Sequence, residues 1–189
     1  INTINEKLEK KVIERTLALS EKTKSQKTML QNLKQGVFLL NKDLSIEKEY
    51  SKYLENILEK QGLQDIDIIK TLLESSSLSI DNKNTIIMSL SSILGDDKIN
   101  YELNEHNLPR EITYNSPSGQ KKHLQLSWDL VDDRNNITVD KMLVVVRDVT
   151  KIKELAYKAK IKQKEFKILT QIIARPVENF LNFFNEVFF

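Results

Sequence analysis

The chain has 189 residues, 30% of them charged and 40% apolar, with a net charge of +2. That length suits one core of ordinary size plus extra segments. The charge reads as basic residues interleaved with acidic ones, giving no one-sign field and no dedicated nucleic-acid binder. The chain lacks cysteine, which excludes disulfides, thiolate metal sites and a cysteine nucleophile, and fits a reducing, cytoplasmic setting.

No apolar run reaches the ~18–20 residues that a membrane span requires. The opening Ile1-Asn2-Thr3 begins a charged helical pattern rather than a signal peptide. A start without Met suggests part of a longer chain, whose membrane attachment, if any, lies outside these residues.

Residues 1–31 contain neither Gly nor Pro and are rich in Lys, Glu and Leu, which predicts one long helix. A strict heptad fails after the second turn. An eleven-residue spacing does better, placing Ile4, Leu8, Val12 and Leu19 on one narrow stripe. Such a stripe buries little alone. It asks for a partner helix, most simply its own copy in a homodimer.

At residue 32 the pattern changes. "GVFLLNKDLSIEKEY" predicts a hairpin, with Val37–Leu40 as one strand, Asn41-Lys42-Asp43 as the turn and Ser45–Tyr50 as the second strand. "SKYLENILEK" has helical spacing, with Ser51 as an N-cap. Residues 65–75 and 83–94 are further helices around a "SSSLSIDN" loop, with Asp81 or Asn82 as a cap. From residue 99 the expectation is extended chain, interrupted by Pro109 and turning at "SPSG". "KHLQLSWDLVD" alternates, with Leu124, Leu126, Trp128 and Leu130 on one face. "DRNN" marks a turn, and 137–147 a final buried strand. The expected core is α+β, with five strands in one antiparallel sheet covered on one face by helices and flanked by long N- and C-terminal helices.

These pieces, in this order, resemble a PAS domain over residues 33–150. The resemblance rests on "GVFLLNKDLSI", "YSKYLENIL", the strand meander and the closing "RDVTKIKE". "LEKKVIERTLALSEKT" resembles the signalling helices of bacterial sensor proteins. The resemblance implies a signalling helix at 1–31, a PAS domain at 32–150 and a helical linker from 151–189 that starts a further helical domain. It also implies that Asp148 and Thr150 form a hinge which passes conformational change from the last strand to an outgoing helix. Their short polar side chains suit the first free N–H groups of a helix, and Asp148 suits its positive end.

Core or ligand-pocket positions on this reading are Val37, Leu39, Leu54, Leu126, Trp128 and Val145. No cofactor is expected. Cysteinyl-flavin chemistry is excluded, and His106 in "NEHNLPRE" reads as a surface histidine rather than a haem ligand. His123 falls on the polar face of its strand. The pairs Asp96-Asp97 and Asp132-Asp133 read as turn residues, not as acid–base catalysts, so these residues are not expected to form an enzyme.

The last segment, "TQIIARPVENFLNFFNEVFF", is helical with a turn or kink near Pro176. It resembles either a histidine-kinase phosphoacceptor helix, with Gln171 at the histidine position, or the first helix of a phosphotransfer domain. An amide is no phosphoacceptor. Either way, an output or phosphotransfer domain belongs elsewhere in the same polypeptide.

Overall fold

The computed structural model describes the backbone of residues 2–64, 66–131 and 138–188, with side chains from residue 7 to 171 within those spans and at 179, 182, 185 and 187. The chain forms two units, Ile1–Asp148 and Val149–Phe189.

The first unit opens with α1 (Asn2–Asn32), which leads into β1 (Gly36–Asn41). The side chain of Ile4 lies outside the described residues; Leu8, Val12 and Leu19 are well exposed along the helix. Four short helices follow: α2 (Tyr53–Leu58), α3 (Ile68–Glu74), α4 (Ile80–Ile93) and α5 (Lys98–Asn104). A 3-10 turn at Glu105–Asn107 leads to β2 (Glu111–Asn115), β3 (Lys121–Leu130) and β4 (Lys141–Asp148). All pairings are antiparallel, in the order β1-β4-β3-β2.

Among the described residues the sheet has four strands where five were expected. The return arm after β1 makes only an isolated bridge, Leu40 to Ile46. Glu47 N donates to the Leu39 carbonyl and Ser51 N to that of Val37, so four residues of the arm span two of β1. That two-residue bulge breaks the ladder. It also turns Tyr50 into the core and lets Ser51 Oγ donate to the Gln35 carbonyl at 2.6 Å.

Residues 98–107 are helical rather than extended. Asp97 supplies the reason: its carboxylate accepts from Ile99 N at 2.6 Å, an N-cap that starts α5. The cap of α4 is Ser79, not Asp81 or Asn82, and Asp67 caps α3. Ser51 precedes the N-cap position of α2, which is Lys52. The expected "DRNN" turn and the Asp132-Asp133 pair lie outside the described residues.

The core lies between the helices and one face of the sheet. Phe38, Leu40, Ile112, Tyr114, Leu124, Leu126, Trp128, Met142, Val144 and Val146 point into it. Gly36 permits the tightest contact, since a Cβ there would stand 2.6 Å from Leu54 Cδ1 and 3.3 Å from Leu54 Cα. Burial of some two dozen apolar side chains, at ~25 cal/mol per Å², holds this unit together.

The second unit is α6 (Thr150–Phe188), whose helix continues through Pro176 without a turn, where a turn or kink was expected. Gln171 is exposed on it. The side chains of Ile173, Val177 and the five phenylalanines from residue 180 onward lie outside the described residues. Among the described residues no helix is long and apolar enough to cross a membrane.

Candidate functional site

The junction at residues 148–150 is built from β4, an inner strand held by β1 on one side and β3 on the other. Asp148 ends β4 opposite Leu124, and Thr150 begins α6, so one residue separates strand from helix. The N–H of Lys153 donates to the Val149 carbonyl at 2.9 Å. Since the N-cap is the residue whose carbonyl accepts the first helical bond, that position belongs to Val149, with Asp148 just before it and Thr150 just after. The first accepting carbonyl of the helix is thus that of a half-buried valine, flanked by Asp148 and Thr150.

The pocket positions divide between the two faces of the sheet. Leu54, Leu126 and Trp128 are buried in the core as expected. Val37, Leu39 and Val145 are not core: they are half-buried on the opposite face, where Val37 pairs with Val145 and Leu39 with Leu143. The core positions on those strands are their neighbours Phe38, Leu40, Val144 and Val146. Period 2 forces this once the register is set, and an unbroken apolar run does not reveal which parity faces inward.

Beside Val145 lies a surface groove of about 830 Å³, lined by Tyr101, Glu105, Arg110, Ser127, Asp129 and Arg147 among others. Three hydrogen bonds build its wall. Tyr101 Oη donates to the Trp128 carbonyl at 2.8 Å, Trp128 Nε1 to the Pro109 carbonyl at 2.9 Å, and Leu126 N to the Arg110 carbonyl at 2.8 Å. Burial, with the carboxylates of Glu105 and Asp129 nearby, raises the Tyr101 hydroxyl above its ordinary pKa, so it stays a donor. His106, weighed as a haem ligand, lines this groove as an exposed side chain. Among the described residues no cluster of three or more His, Cys, Asp or Glu is arranged to hold a metal.

A clamp at the other end of the sheet escaped the sequence reading. Lys122 Nζ donates to the Ile57 carbonyl at 2.9 Å and pairs with Glu59 at 2.7 Å. Glu59 also accepts from Ser118 N, and Tyr114 Oη donates to the Leu58 carbonyl at 3.1 Å. The C-terminus of α2, which ends with Glu59 in the left-handed region at φ 54°, is thereby fastened to the β2–β3 hairpin. These hydrogen bonds, that of Lys122 first, lower the Glu59 carboxyl to about 2. The signal was present in the sequence: stepping back by two from Leu124 places Lys122 on the core face of β3.

No family model and no curated protein matches this chain. Among solved structures it is similar to a PAS domain of an HTR-like protein from Haloarcula marismortui, at 15% identity and a TM-score of 0.45, over 71% of this chain and 98% of that one. It is similar to the PAS domain of the fruit-fly ELK potassium channel at 15% identity and a TM-score of 0.48, over 68% and 97%. A third likeness is to a sensory box histidine kinase/response regulator from Burkholderia thailandensis, at 14% identity and a TM-score of 0.42, over 70% and 90%. The solved structures it is similar to include PAS domains, one of them from a two-component sensor histidine kinase.

Proposed function

We propose that residues 32–150 act as a PAS-type sensory or relay module of a bacterial, cytoplasmic signal-transduction protein. The flanking helices dimerise it through Leu8, Val12 and Leu19. Asp148–Thr150 passes conformational change to an output or phosphotransfer domain in the same polypeptide. These residues perform no catalysis themselves and hold no cofactor. One observation carries the reading: β4, an inner strand, reaches α6 through the single residue Val149. A displacement of that strand is delivered to the first turn of the helix with little slack to absorb it.

Asp148→Ala and Thr150→Ala test the hinge. Both side chains stand outside the core, and removing a polar group at a helix start costs ~1 kcal/mol, too little to unfold the first unit. Amide exchange is expected to rise in 151–170 while 124–130 and 142–147 keep their protection. A uniform rise assigns the pair to global stability and overturns the hinge. No change assigns the junction to Val149 and its packing.

A second reading is a structural spacer in a catalytic protein such as a degenerate histidine kinase, favoured by Gln171 at the phosphoacceptor position. On that reading, uncoupling the junction leaves the parent protein's output untouched.

A further inference from the structure

The whole-chain balance of +2 conceals a segregation of charge. Residues 150–170 hold seven lysines and two glutamates, net +5. Residues 65–105 hold eight acidic residues and three lysines, net −5. Interleaving therefore fails at the scale of a helix, and two one-sign fields of equal size and opposite sign exist in one chain.

Both segments also expose apolar side chains. On α6, Ile152, Leu155, Phe166 and Leu169 are 67%, 55%, 72% and 56% exposed. At about 100° per residue they fall on one stripe. Lys162 falls within it and Lys151 and Lys158 lie along one edge, while Lys153, Lys160 and Lys164 lie on the opposite face. On α4 and α5, which pack together, Ile80, Met88, Ile99 and Leu103 are 75%, 72%, 60% and 62% exposed. Asp81 on α4, Glu102 on α5 and Asp96 in the connection between them are exposed as well.

Pairing one α6 stripe with another would place Lys162 in the seam and bring two segments of net +5 together. The charges disfavour that arrangement and favour an acidic apolar surface. The α4–α5 surface has the matching charge, the matching exposed apolar residues and, being part of the same polypeptide, equal abundance. We propose that α6 of one copy docks its lysine-bordered stripe on the α4–α5 surface of a second copy. Repeated by the second helix, this makes a reciprocal two-fold exchange. It goes beyond the relay reading, because it needs neither the α1 seam nor the hinge.

The lack of native cysteine makes the test clean. Leu103→Cys and Phe166→Cys are introduced on separate, differently tagged copies, mixed, and treated with a short bismaleimide. The expected product joins position 103 of one copy to position 166 of the other. Its yield falls roughly tenfold as salt rises from about 0.05 M to about 0.5 M. A copy with Lys158→Glu and Lys162→Glu, and a copy with Asp96→Lys and Glu102→Lys, should each fail to crosslink with themselves and recover when mixed. All these positions are exposed, so the fold is kept, which circular dichroism checks. Crosslinks joining only 166 to 166 overturn the proposal, as do crosslinks confined to a single copy carrying both cysteines. Protein that stays uncrosslinked but pellets with phosphatidylglycerol vesicles assigns the lysines to a lipid surface, and that too overturns it.

Discussion

Gly36→Ala is the sharpest test of how β1 meets α2. The added methyl would lie 2.6 Å from Leu54 Cδ1, which a rotamer change relieves. It would also lie 3.2 Å from Leu54 Cβ and 3.3 Å from Leu54 Cα, which no rotamer change relieves. The helix has to move off the strand, and overpacking of this kind costs ~1–3 kcal/mol. Loss of glycine's freedom in the unfolded chain returns ~0.4–1 kcal/mol. The net expectation is a loss of about 1–2 kcal/mol, which for a domain of this size lowers Tm by roughly 4–8 °C. Urea titration read by far-UV circular dichroism measures it. Leu54 is fully buried, so Leu54→Ala alone costs ~2–5 kcal/mol. Leu54→Ala keeps the Cβ and Cα that the new methyl crowds, so the double variant should lose nearly the sum of the two singles. A Gly36→Ala chain as stable as its parent refutes the close approach.

Three further outcomes follow from the contacts described. Lys122→Met removes the donor to the Ile57 carbonyl and should cost ~1–3 kcal/mol in the same titration; no loss would show the clamp to be idle. The Glu59 carboxyl, about 2 when folded against a usual 4.5, is stabilising when ionised. Its contribution is complete above 4.5 and disappears as pH falls towards 2, so Glu59→Gln should flatten the stability profile in that window, and an unchanged slope refutes the assignment. Leu8→Lys with Val12→Lys puts unpaired charge into the α1 seam, and sedimentation should show a shift toward monomer; an unchanged mass, or a monomeric parent chain, removes the seam.

The elements that were legible had one polar face and one apolar face. β3 alternates cleanly, and its inward set, Leu124, Leu126 and Trp128, was read from spacing alone. β1 and β4 carry apolar residues on both faces, because Val37 and Leu39 cover Val145 and Leu143 on the far side. With no polar position to break the tie, parity had to come from pairing. α5 misled for the opposite reason. Ile99, Tyr101 and Leu103 recur at every second residue, the mark of a strand, yet Ile99 and Leu103 are exposed on a helix and Tyr101 is half-buried. The decisive signal is Asp97, whose place in a turn-like Gly-Asp-Asp run conceals its role as a helix cap. The missing strand is a similar case, since nothing in "SIEKEY" announces a two-residue bulge. At the junction the place where strand gives way to helix was legible, but Val149 as the first accepting carbonyl was not, because that depends on where the strand stops.

The two margins of the sheet have a consequence for how anything joins it. On the β1 side, the return arm offers three main-chain bonds: Asn41 N to the Ser45 carbonyl, Glu47 N to that of Leu39, and Ser51 N to that of Val37. On the β2 side, Ser77 N reaches the Thr113 carbonyl and Asn115 N the Ser75 carbonyl. Each margin is therefore already occupied by the protein's own irregular backbone, and an incoming extended peptide finds few open amide groups to zip onto. Recognition by this domain has to run through side chains on helices and sheet faces, which keeps its contacts tunable by charge and protects it from the templated stacking that an open strand invites.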